Sequence, residues 1–226
     1  MPTNLEDRQP PKLFVSFNTM KNHMLVLPRD FYNRHTLEVA RDLLGKSLVR
    51  ELPEGRVALR IVETEAYIGE NDKACHASKG MTARNKVMFG EPGHAYVYLI
   101  YGMYNCLNLV TEKNGFPAAV LIRAGEPLEG EEIMAQRRPK AKPCDIASGP
   151  GKLCGAMDIT RALNGADVCK KGALYVEDAP AVKEVVACPR IGVDYAGEDA
   201  FMPWRFYDKK SACVSKRVAG DRAIRK

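Results

Sequence analysis

The chain has 226 residues, of which 46% are hydrophobic and 27% charged, and this composition is typical of a soluble globular protein with a sizeable core. No apolar run approaches the roughly 18–20 residues that a membrane span needs, so we expect no membrane partner. Residues 1–23 contain no continuous apolar segment of the kind found in secretory signals. We expect these residues to form a flexible N-terminal arm.

Seven cysteines stand between positions 75 and 213, and no two of them form a C-x-x-C pair. This spacing argues against zinc fingers and against thioredoxin-type redox chemistry. Several of the cysteines lie in apolar stretches, where a reduced thiol behaves as a small hydrophobic side chain. We therefore expect no metal site and an intracellular location, which is the cytoplasm if the host is bacterial and the nucleus if it is eukaryotic.

The net charge of +6 is concentrated at the C-terminal end of the chain. Residues 205–226 contain eight Lys/Arg and two Asp/Glu, so the first 204 residues carry equal numbers of each sign. A second basic cluster, RRPKAK, covers residues 137–142. Such runs are often only solvated surface. Basic clusters on a neutral body also suit a polyanionic partner such as nucleic acid, because binding releases counterions.

The first predicted elements are a helix and two strands. Asp30 or Thr36 can cap a helix that keeps apolar residues at helical spacing and ends at Gly45. Residues 47–51 and 57–67 have strand patterns and are joined by a Pro-Glu-Gly turn. Further along, the patterns predict strands at 118–124 and 173–177, strand pieces at 190–193 and 205–207, and helices at 131–138 and from 150 onward. Because the chain has no internal repeat and no sharp linker, we predict a single domain.

The strand at 57–67 ends in two carboxylates on one face. Its odd positions are apolar up to Ile61 and then carry Glu63, Glu65 and Tyr67. Such a face can hold a carboxylate in a desolvated position suited to acid–base chemistry. Taken alone, however, the pattern favours a strand that kinks at Thr64 and turns both glutamates to solvent.

Residues 95–108, AYVYLIYGMYNCLN, contain four of the nine tyrosines. The first half alternates as a strand does, and Gly102-Met103 suits the two-residue loop of a type II′ turn. This predicts a β-hairpin with Tyr101 and Tyr104 opposite each other at its tip. Aromatic cross-strand pairs more often stabilise a half-buried sheet than bind a ligand, so the hairpin alone does not indicate a function.

Three other polar side chains are candidates for a site. Arg123 lies near the end of an apolar strand, where it needs a carboxylate partner. His76 lies in a loop, and a lone loop histidine is more often an ordinary surface residue. The segment SGPGK at 148–152 lacks the spacing of a nucleoside triphosphate loop, which we reject. The amides of this helix start, together with Lys152, remain suited to a backbone phosphate.

Taken together, seven ordered segments resemble the alkyladenine (3-methyladenine) DNA glycosylase family. They are RDFYNRHTLEVARDLLGKSLVR (29–50), RIVETEAYIG (60–69), TARNKVMF (82–89), PGHAYVYLIYGMYNCLN (92–108), AVLIRAGEPLEG (119–130), SGPGKLC (148–154) and PRIGVDYAGEDAFMPWRFY (189–207). The resemblance extends over nearly the whole chain. The sequence departs from the family pattern at Ala83, where members often have proline, and in the short connector at 139–147.

The resemblance implies a compact α/β (α+β) fold: one domain with a curved, mainly antiparallel sheet, a protruding β-hairpin and surrounding helices. It divides the chain into the arm at 1–23, a glycosylase domain at 24–218 and a basic C-terminal tail at 219–226. It further implies a monomer without cofactor or metal, whose partner is duplex DNA containing damaged purines. The implied activity is base excision repair: an alkylated or deaminated purine is flipped out, its N-glycosidic bond is hydrolysed, and an abasic site remains.

The resemblance also implies roles for individual residues. Glu65 would be the general base that activates water, and Arg123 would help to hold that water. Asn108 would lie on the pocket wall, where it could disfavour the 2-amino group of guanine. The full implied set is catalytic Glu65 and Arg123, base-pocket Tyr67, His76, Tyr98 and Asn108, intercalating Tyr101, and DNA-backbone contacts at Arg84, Met103 and Lys152.

These residue types suit the chemistry. A wedge such as Tyr101 offsets the few kcal/mol that base extrusion costs, by stacking where the base was. Stacking between Tyr67 and Tyr98 would contribute about 1–3 kcal/mol per base, and more for a cationic purine. Cleavage develops positive charge on the sugar, which an ionised Glu65 beside Arg123 would stabilise while taking a proton from water.

Two other interpretations remain open from the sequence. The first is a non-catalytic nucleic-acid-binding module that uses the tyrosine hairpin for base stacking, which has no use for Glu65 beside Arg123. The second is a hydrolase of small glycosides or nucleosides, with Glu63 and Glu65 as a carboxylate pair on one strand face. The basic surface and the tyrosine hairpin would be unused in that case.

Overall fold

The structure is a computed structural model that describes residues 25–221, so the predicted arm at 1–23 and the last five residues of the basic tail lie outside the described part. The helices are α1 (Arg29–Tyr32), α2 (Thr36–Asp42), α3 (Glu131–Arg137) and α4 (Pro150–Ala156). The strands are β1 (Ser47–Leu52), β2 (Gly55–Ile68), β3 (Ala95–Ile100), β4 (Tyr104–Val110), β5 (Ala118–Glu129), β6 (Leu174–Glu177), β7 (Val185–Cys188) and β8 (Arg205–Asp208). Short 3-10 helices cover His76–Lys79, Lys86–Phe89, Pro143–Asp145, Arg161–Leu163 and Asp194–Phe201.

The eight strands form one open antiparallel sheet, which confirms the predicted fold class. Six of them follow the order β3-β4-β5-β2-β1-β6, and β7 and β8 branch from this path. One edge of β2 pairs with β5, while the other edge pairs first with β1 over Gly55–Arg60 and then with β8 over Glu63–Glu65. Strand β2 is therefore covered on both edges where it carries its two glutamates.

Strand β2 is irregular at its centre. Its register against β5 shifts between Ile61 and Glu63 and again between Glu63 and Thr64. Such irregularities bend a strand and re-aim its side chains. The predicted irregularity near Thr64 therefore exists, but it does not lead the glutamates to solvent. Instead the Thr64 hydroxyl donates to the carbonyl oxygen of Ala40 at 2.8 Å and ties the bend to α2.

Helix α2 packs its apolar face on this sheet, with Val39 and Ala40 fully buried. The prediction that Thr36 caps the helix is wrong, because Thr36 is its first residue. Its backbone N–H and its hydroxyl both donate to Glu112 Oε1, at 2.7 and 2.8 Å. A carboxylate that follows β4 in the chain thus satisfies the free donors at the helix start.

The tyrosine-rich hairpin exists, but its turn differs from the prediction. Strands β3 and β4 pair as far as Ile100 and Tyr104, so three residues form the loop and Tyr101 does not lie opposite Tyr104. Tyr101 has φ 52° and Gly102 has φ 69°, and the N–H of Met103 donates to the Ile100 carbonyl at 3.1 Å. Two successive positive φ values are typical of a type I′ turn, whereas the predicted type II′ turn needs a positive φ at its first central residue only.

The late strand piece predicted at 190–193 is wrong. The strand that pairs with β8 lies earlier, at β7, and the chain at 190–193 is irregular. Gly192 has φ 74°, which a regular strand does not tolerate. The amide of Ile191 donates to a glutamate side chain rather than to a neighbouring strand.

The two faces of the sheet bury different clusters. The main core holds residues such as Val97, Leu109 and Val120 together with α2 and α4. Neighbouring residues in the same strands point to the opposite face, where a smaller cluster around Tyr96 packs with Tyr67. This second face carries the candidate site. Within the part of the chain that the structure describes, no helix has the length and apolarity to cross a membrane.

Candidate active site

Glu65 on β2 lies at the centre of a buried hydrogen-bond network. Its Oε2 accepts from Arg123 Nη1 at 3.1 Å and from the Tyr67 hydroxyl at 2.9 Å. Its Oε1 accepts the backbone N–H of Ile191 at 2.8 Å. The side chain has no exposed surface, so the expectation that the strand turns its glutamates to solvent is wrong. The pairing of β8 against Glu63–Glu65 covers them.

Arg123 on β5 joins the two glutamates of β2. Its Nε donates to Glu63 Oε1 at 3.1 Å, and that oxygen also accepts from Arg205 Nη1 at 3.0 Å. The second oxygen of Glu63 accepts the N–H of Ser215 at 2.7 Å. Burial opposes a charge on Arg123, but the carboxylates of Glu65 and Glu63 raise its pKa above the ordinary value. The prediction that Arg123 has a carboxylate partner is confirmed.

A cavity of about 310 Å³ opens beside this network. Three of its lining residues are Tyr67, Arg123 and Ile191, which are the hydrogen-bond partners of Glu65. Glu65 itself lies directly behind them. The cavity lies at the lower end of the roughly 300–1,000 Å³ found for ligand pockets. The other predicted residues that line it are His76, Tyr98, Tyr101 and Asn108.

The two tyrosines that were predicted to stack on the base, Tyr67 and Tyr98, both line the cavity and have different neighbours. The Tyr98 ring contacts the His76 ring edge-on, with centroids 4.5 Å apart, and lies 5.3 Å from the Tyr96 ring. Tyr67 packs against Arg190 and directs its hydroxyl to Glu65. Burial raises the pKa of Tyr67 well above its ordinary value, and the neighbouring carboxylate of Glu65 raises it further. The Tyr67 hydroxyl therefore stays protonated and acts as a donor.

His76 is held as a neutral imidazole. Burial, and then the charge of Arg84, lowers the pKa of His76 to about 4. Its Nδ1 lies 2.9 Å from the Tyr96 hydroxyl, and burial raises the pKa of Tyr96 to about 12. A tyrosine that donates to Nδ1 leaves the histidine proton on Nε2. Tyr96 was not among the predicted site residues, although its period-two spacing from Tyr98 places both rings on one strand face.

Asn108 on β4 contributes an amide to the cavity wall. Its side chain is 4% exposed, and Nδ2 donates to the Tyr96 carbonyl at 3.2 Å. That bond fixes the orientation of the carboxamide. Asn108 pairs across the strands with Tyr96 on one side and Leu121 on the other, which holds its backbone in the centre of the sheet.

A buried ion pair that the sequence analysis missed supports the cavity. The side chains of Arg190 and Asp72 are both fully buried, and Arg190 donates to the two Asp72 oxygens at 2.6 and 2.8 Å. The guanidinium carbon lies 4.9 Å from the ring centroids of both Tyr67 and Trp204. Asp72 also accepts the backbone N–H of Ile68 at the end of β2 and that of Ala74 in its own loop. The pair thus joins the loop that carries His76 to β2 and to the segment that precedes the Ile191 amide.

The hairpin tip is the exposed part of the site. Tyr101 is 81% exposed and Met103 is 67% exposed, yet Tyr101 also lines the cavity and so stands at its mouth. Helix α4 supports the hairpin from below. A Cβ atom on Gly151 would lie only 3.0 Å from Tyr104 Cβ, so the helix backbone packs directly against the returning strand. The tip is therefore exposed on a supported base.

The three predicted DNA-backbone residues occupy different positions. Met103 lies on the tip. Arg84 is exposed beside β3, where Nη2 donates to the Leu99 carbonyl at 3.1 Å and the guanidinium carbon lies 5.1 Å from the Tyr98 ring centroid. Lys152 lies in the first turn of α4, which begins at Pro150 as predicted, and its ammonium is paired with Asp145. Their contacts with DNA stay predictions.

The described residues include possible metal ligands and thiols. Between residues 25 and 221, no three His, Cys, Asp or Glu side chains come together in a way that could hold a metal ion. All seven cysteines lie in this range and have free thiols. Burial raises the pKa of Cys75, which lies next to His76 in the chain, to about 12, so its thiol is protonated at neutral pH and poorly nucleophilic.

Comparison with known proteins gives consistent matches. The sequence model of the family described as methylpurine-DNA glycosylase (MPG) matches residues 30–212. A protein of Methanocella arvoryzae is 84% identical over 199 residues, which cover 88% of this chain and all of that protein. A protein of Alkaliphilus oremlandii is 50% identical over 201 residues, or 84% of this chain and 99% of that protein. A Myxococcus xanthus protein is 50% identical over 192 residues, or 84% and 93%.

All three relatives carry the name "Putative 3-methyladenine DNA glycosylase". The family match covers most of the chain and includes β2, the tyrosine hairpin and β5, which carry the cavity. The resemblance inferred from the sequence motifs is confirmed. The chain belongs to the methylpurine-DNA glycosylase family.

Proposed function

We propose that this protein is a monofunctional DNA glycosylase that flips an alkylated or deaminated purine out of duplex DNA and hydrolyses its N-glycosidic bond. One observation supports this most. The hydrogen-bond partners of the buried Glu65 line an aromatic cavity, and an exposed tyrosine stands at the mouth of that cavity. A protein that only stacks on bases has no use for a carboxylate buried behind its pocket.

The first step is extrusion of the damaged nucleotide. A base within a duplex cannot reach the cavity, and flipping costs a few kcal/mol in lost stacking and pairing. Tyr101 enters the gap from the supported hairpin and stacks on the neighbouring bases, which offsets that cost. The loss is smallest for a damaged or mispaired base, so extrusion itself contributes to selection.

The flipped base then lies among Tyr67, Tyr98 and the neutral His76. Stacking on an aromatic side chain contributes about 1–3 kcal/mol per base and does not depend on sequence. His76 has its proton on Nε2 and offers a donor without a charge. Asn108 meets the base edge, where it disfavours the 2-amino group of guanine.

The chemical step breaks the bond between C1′ of the sugar and the purine nitrogen. The electron pair of that bond leaves with the base, and positive charge develops on the sugar. Glu65 stabilises this charge and takes a proton from a water molecule, whose oxygen bonds to C1′. Arg123 holds the water and donates a hydrogen bond to Glu65. The products are the free base and an abasic sugar.

The nucleophile is water rather than an amine. Among the described residues that line the cavity there is no lysine, so none of these residues can form an imine with the sugar. The glycosidase interpretation with a Glu63–Glu65 pair fits less well. Arg123, Arg205 and the Ser215 amide engage both oxygens of Glu63, and of these three groups only Arg123 lines the cavity. All three donors to Glu65 line it.

The test uses duplexes that each carry one defined lesion, hypoxanthine or ethenoadenine, together with methylated DNA as a source of 3-methyladenine. We expect release of the free base, strand breaks only after alkali, and no covalent product on borohydride treatment. An unmodified duplex and the free damaged nucleosides are the controls. Tight lesion binding without base release would instead indicate a binding module, and equal turnover of free nucleosides would indicate a small-glycoside hydrolase.

A further inference from the structure

Each of the two tyrosines proposed to stack on the base has an arginine over its ring. Arg190 lies 4.9 Å from the Tyr67 centroid, and Arg84 lies 5.1 Å from the Tyr98 centroid. The two arginines differ in charge compensation. Asp72 neutralises Arg190 through two hydrogen bonds in a fully buried pair. Within residues 25–221 no carboxylate forms an ion pair with Arg84. Its Nη2 donates to the Leu99 carbonyl oxygen.

Tyr98 separates Arg84 from the base cavity. The tyrosine lines both this cavity and a second groove along the outer side of β3, whereas Arg84 and Arg161 line only the second groove. Arg84 therefore stands behind the Tyr98 ring as seen from the base. A cation on one side of an aromatic ring opposes binding of a second cation on the other side, because both draw on the same π density and repel each other.

The charge of Arg84 is felt inside the cavity. After burial, it is the second cause that lowers the pKa of His76 to about 4. It also opposes the effect of burial on the pKa of Tyr96. The remaining charges around the cavity are matched, because Arg123 and Arg205 face Glu63 and Glu65. Arg84 thus brings to the aromatic wall a cation that no described carboxylate pairs with.

We propose that Arg84 is a specificity-determining residue that, through the ring of Tyr98, favours neutral damaged purines over purines carrying a formal positive charge. This inference rests on the proposed function. A neutral purine takes the electron pair of the broken bond and becomes negative as it leaves, so Arg84 stabilises its departure. A cationic purine approaches the wall with a charge of the same sign. An aromatic face alone would bind a cationic purine more strongly than a neutral one. At Tyr98, the charge of Arg84 reverses this preference.

The test compares excision efficiency on hypoxanthine duplex with release of 3-methyladenine from methylated DNA at one salt concentration. Arg84→Met removes the charge and keeps a long apolar side chain over Tyr98. We expect it to lower the ratio of neutral to cationic excision about five-fold, while Arg84→Lys retains most of that ratio. Because the ratio is compared between variants, any selection by Asn108 cancels.

Arg161→Met is the matched control, because Arg161 lines the same groove but Arg84 is the arginine that lies over the Tyr98 ring. We expect Arg161→Met to leave the ratio of neutral to cationic excision unchanged. If Arg84 contacts only the DNA backbone, Arg84→Met will weaken both reactions equally. The slope of log DNA affinity against log salt concentration will then fall by the amount expected for about one phosphate contact. An unchanged ratio in an active enzyme would overturn this inference alone. Absence of base release by the unmodified protein would overturn the proposed function and this inference with it.

Discussion

The carboxylate network and the hairpin tip meet at one cavity but are built in opposite ways. Glu65 has no exposed surface and three hydrogen-bond donors, whereas Tyr101 is 81% exposed on a three-residue loop. Two of the three donors to Glu65, Arg123 and the Ile191 amide, are distant in sequence, whereas the hairpin tip is formed by its own turn. Under the proposed function, this contrast is expected, because the chemistry needs a fixed carboxylate and engagement of DNA needs a side chain that can leave solvent.

The largest effect is expected from a substitution at Glu65, in the buried carboxylate network. Glu65→Gln keeps the shape of the side chain but removes the charge that accepts the proton. We expect base release to fall about 10²–10⁴-fold, as for loss of a general base, with lesion binding retained. Single-turnover release and a gel-shift assay on the same duplex measure the two quantities.

Glu126→Gln on β5 is the control for that substitution, because Glu126 pairs with Arg60 and does not line the cavity. We expect it to behave as the unmodified protein does. Full activity of the Glu65→Gln variant would exclude Glu65 as the base.

The next effect concerns the buried pair of Arg190 and Asp72. Asp72→Asn leaves the Arg190 charge buried without a counter-charge, and we expect a loss of about 3–5 kcal/mol in the free energy of unfolding. Chemical denaturation measures this, and Trp204, the only tryptophan of the chain, reports it by fluorescence. The double variant Arg190→Met/Asp72→Asn removes the unpaired charge and keeps a side-chain oxygen that can accept from the backbone N–H groups of Ile68 and Ala74. We expect stability to recover in part in this variant while base release stays low. Recovery of both would mean that the pair does not position the site.

A smaller effect is expected from a substitution at Tyr101, at the exposed hairpin tip. Tyr101→Ala removes the proposed wedge, and we expect lesion binding to weaken by about 1–3 kcal/mol, the value of one base–aromatic stack. The free energy of unfolding stays unchanged because the side chain is exposed. Tyr101→Phe keeps the ring and is expected to bind as the unmodified protein does. Equal binding by all three proteins would show that the ring does not enter DNA.

The smallest effect is a pH dependence at His76. Its pKa is lowered to about 4 in the folded protein, whereas a free histidine titrates near 6.5. Between these values the unfolded chain binds a proton that the folded chain does not, so stability falls as the pH drops from about 6.5 to 4. Urea unfolding at pH 7 and pH 5 should show a smaller difference for His76→Gln. An equal difference in both proteins would contradict the burial of a neutral imidazole.

Local patterns predicted the elements that carry the site. The alternation in β2 placed Glu63 and Glu65 on the face that Arg123 contacts, and an arginine in an apolar strand predicted its own carboxylate partner. The antiparallel hairpin with its tyrosines also followed from period-two spacing. These features depend on neighbours within a strand, which the sequence contains directly.

The features that could not be predicted depend on closure of distant loops. Arg190 lies 118 positions from Asp72, and the chain around it was expected to be a strand. The amide of Ile191 reaches Glu65 only because Gly192 has a positive φ and interrupts the strand pattern. The burial of the two glutamates could not be predicted either. It requires β8 to pair with the edge of β2 at the point where the pairing with β1 ends. No local pattern reports such contacts.

The backbone at the hairpin tip has a consequence for engineering. Tyr101 has φ 52°, a left-handed conformation that costs an ordinary side chain about 1–2 kcal/mol and glycine almost nothing. Tyr101→Gly would therefore stabilise the isolated protein while deleting the aromatic ring. Selection for thermal stability alone would therefore favour glycine at position 101. If an evolved library retains tyrosine there, the residue is required for function rather than for stability.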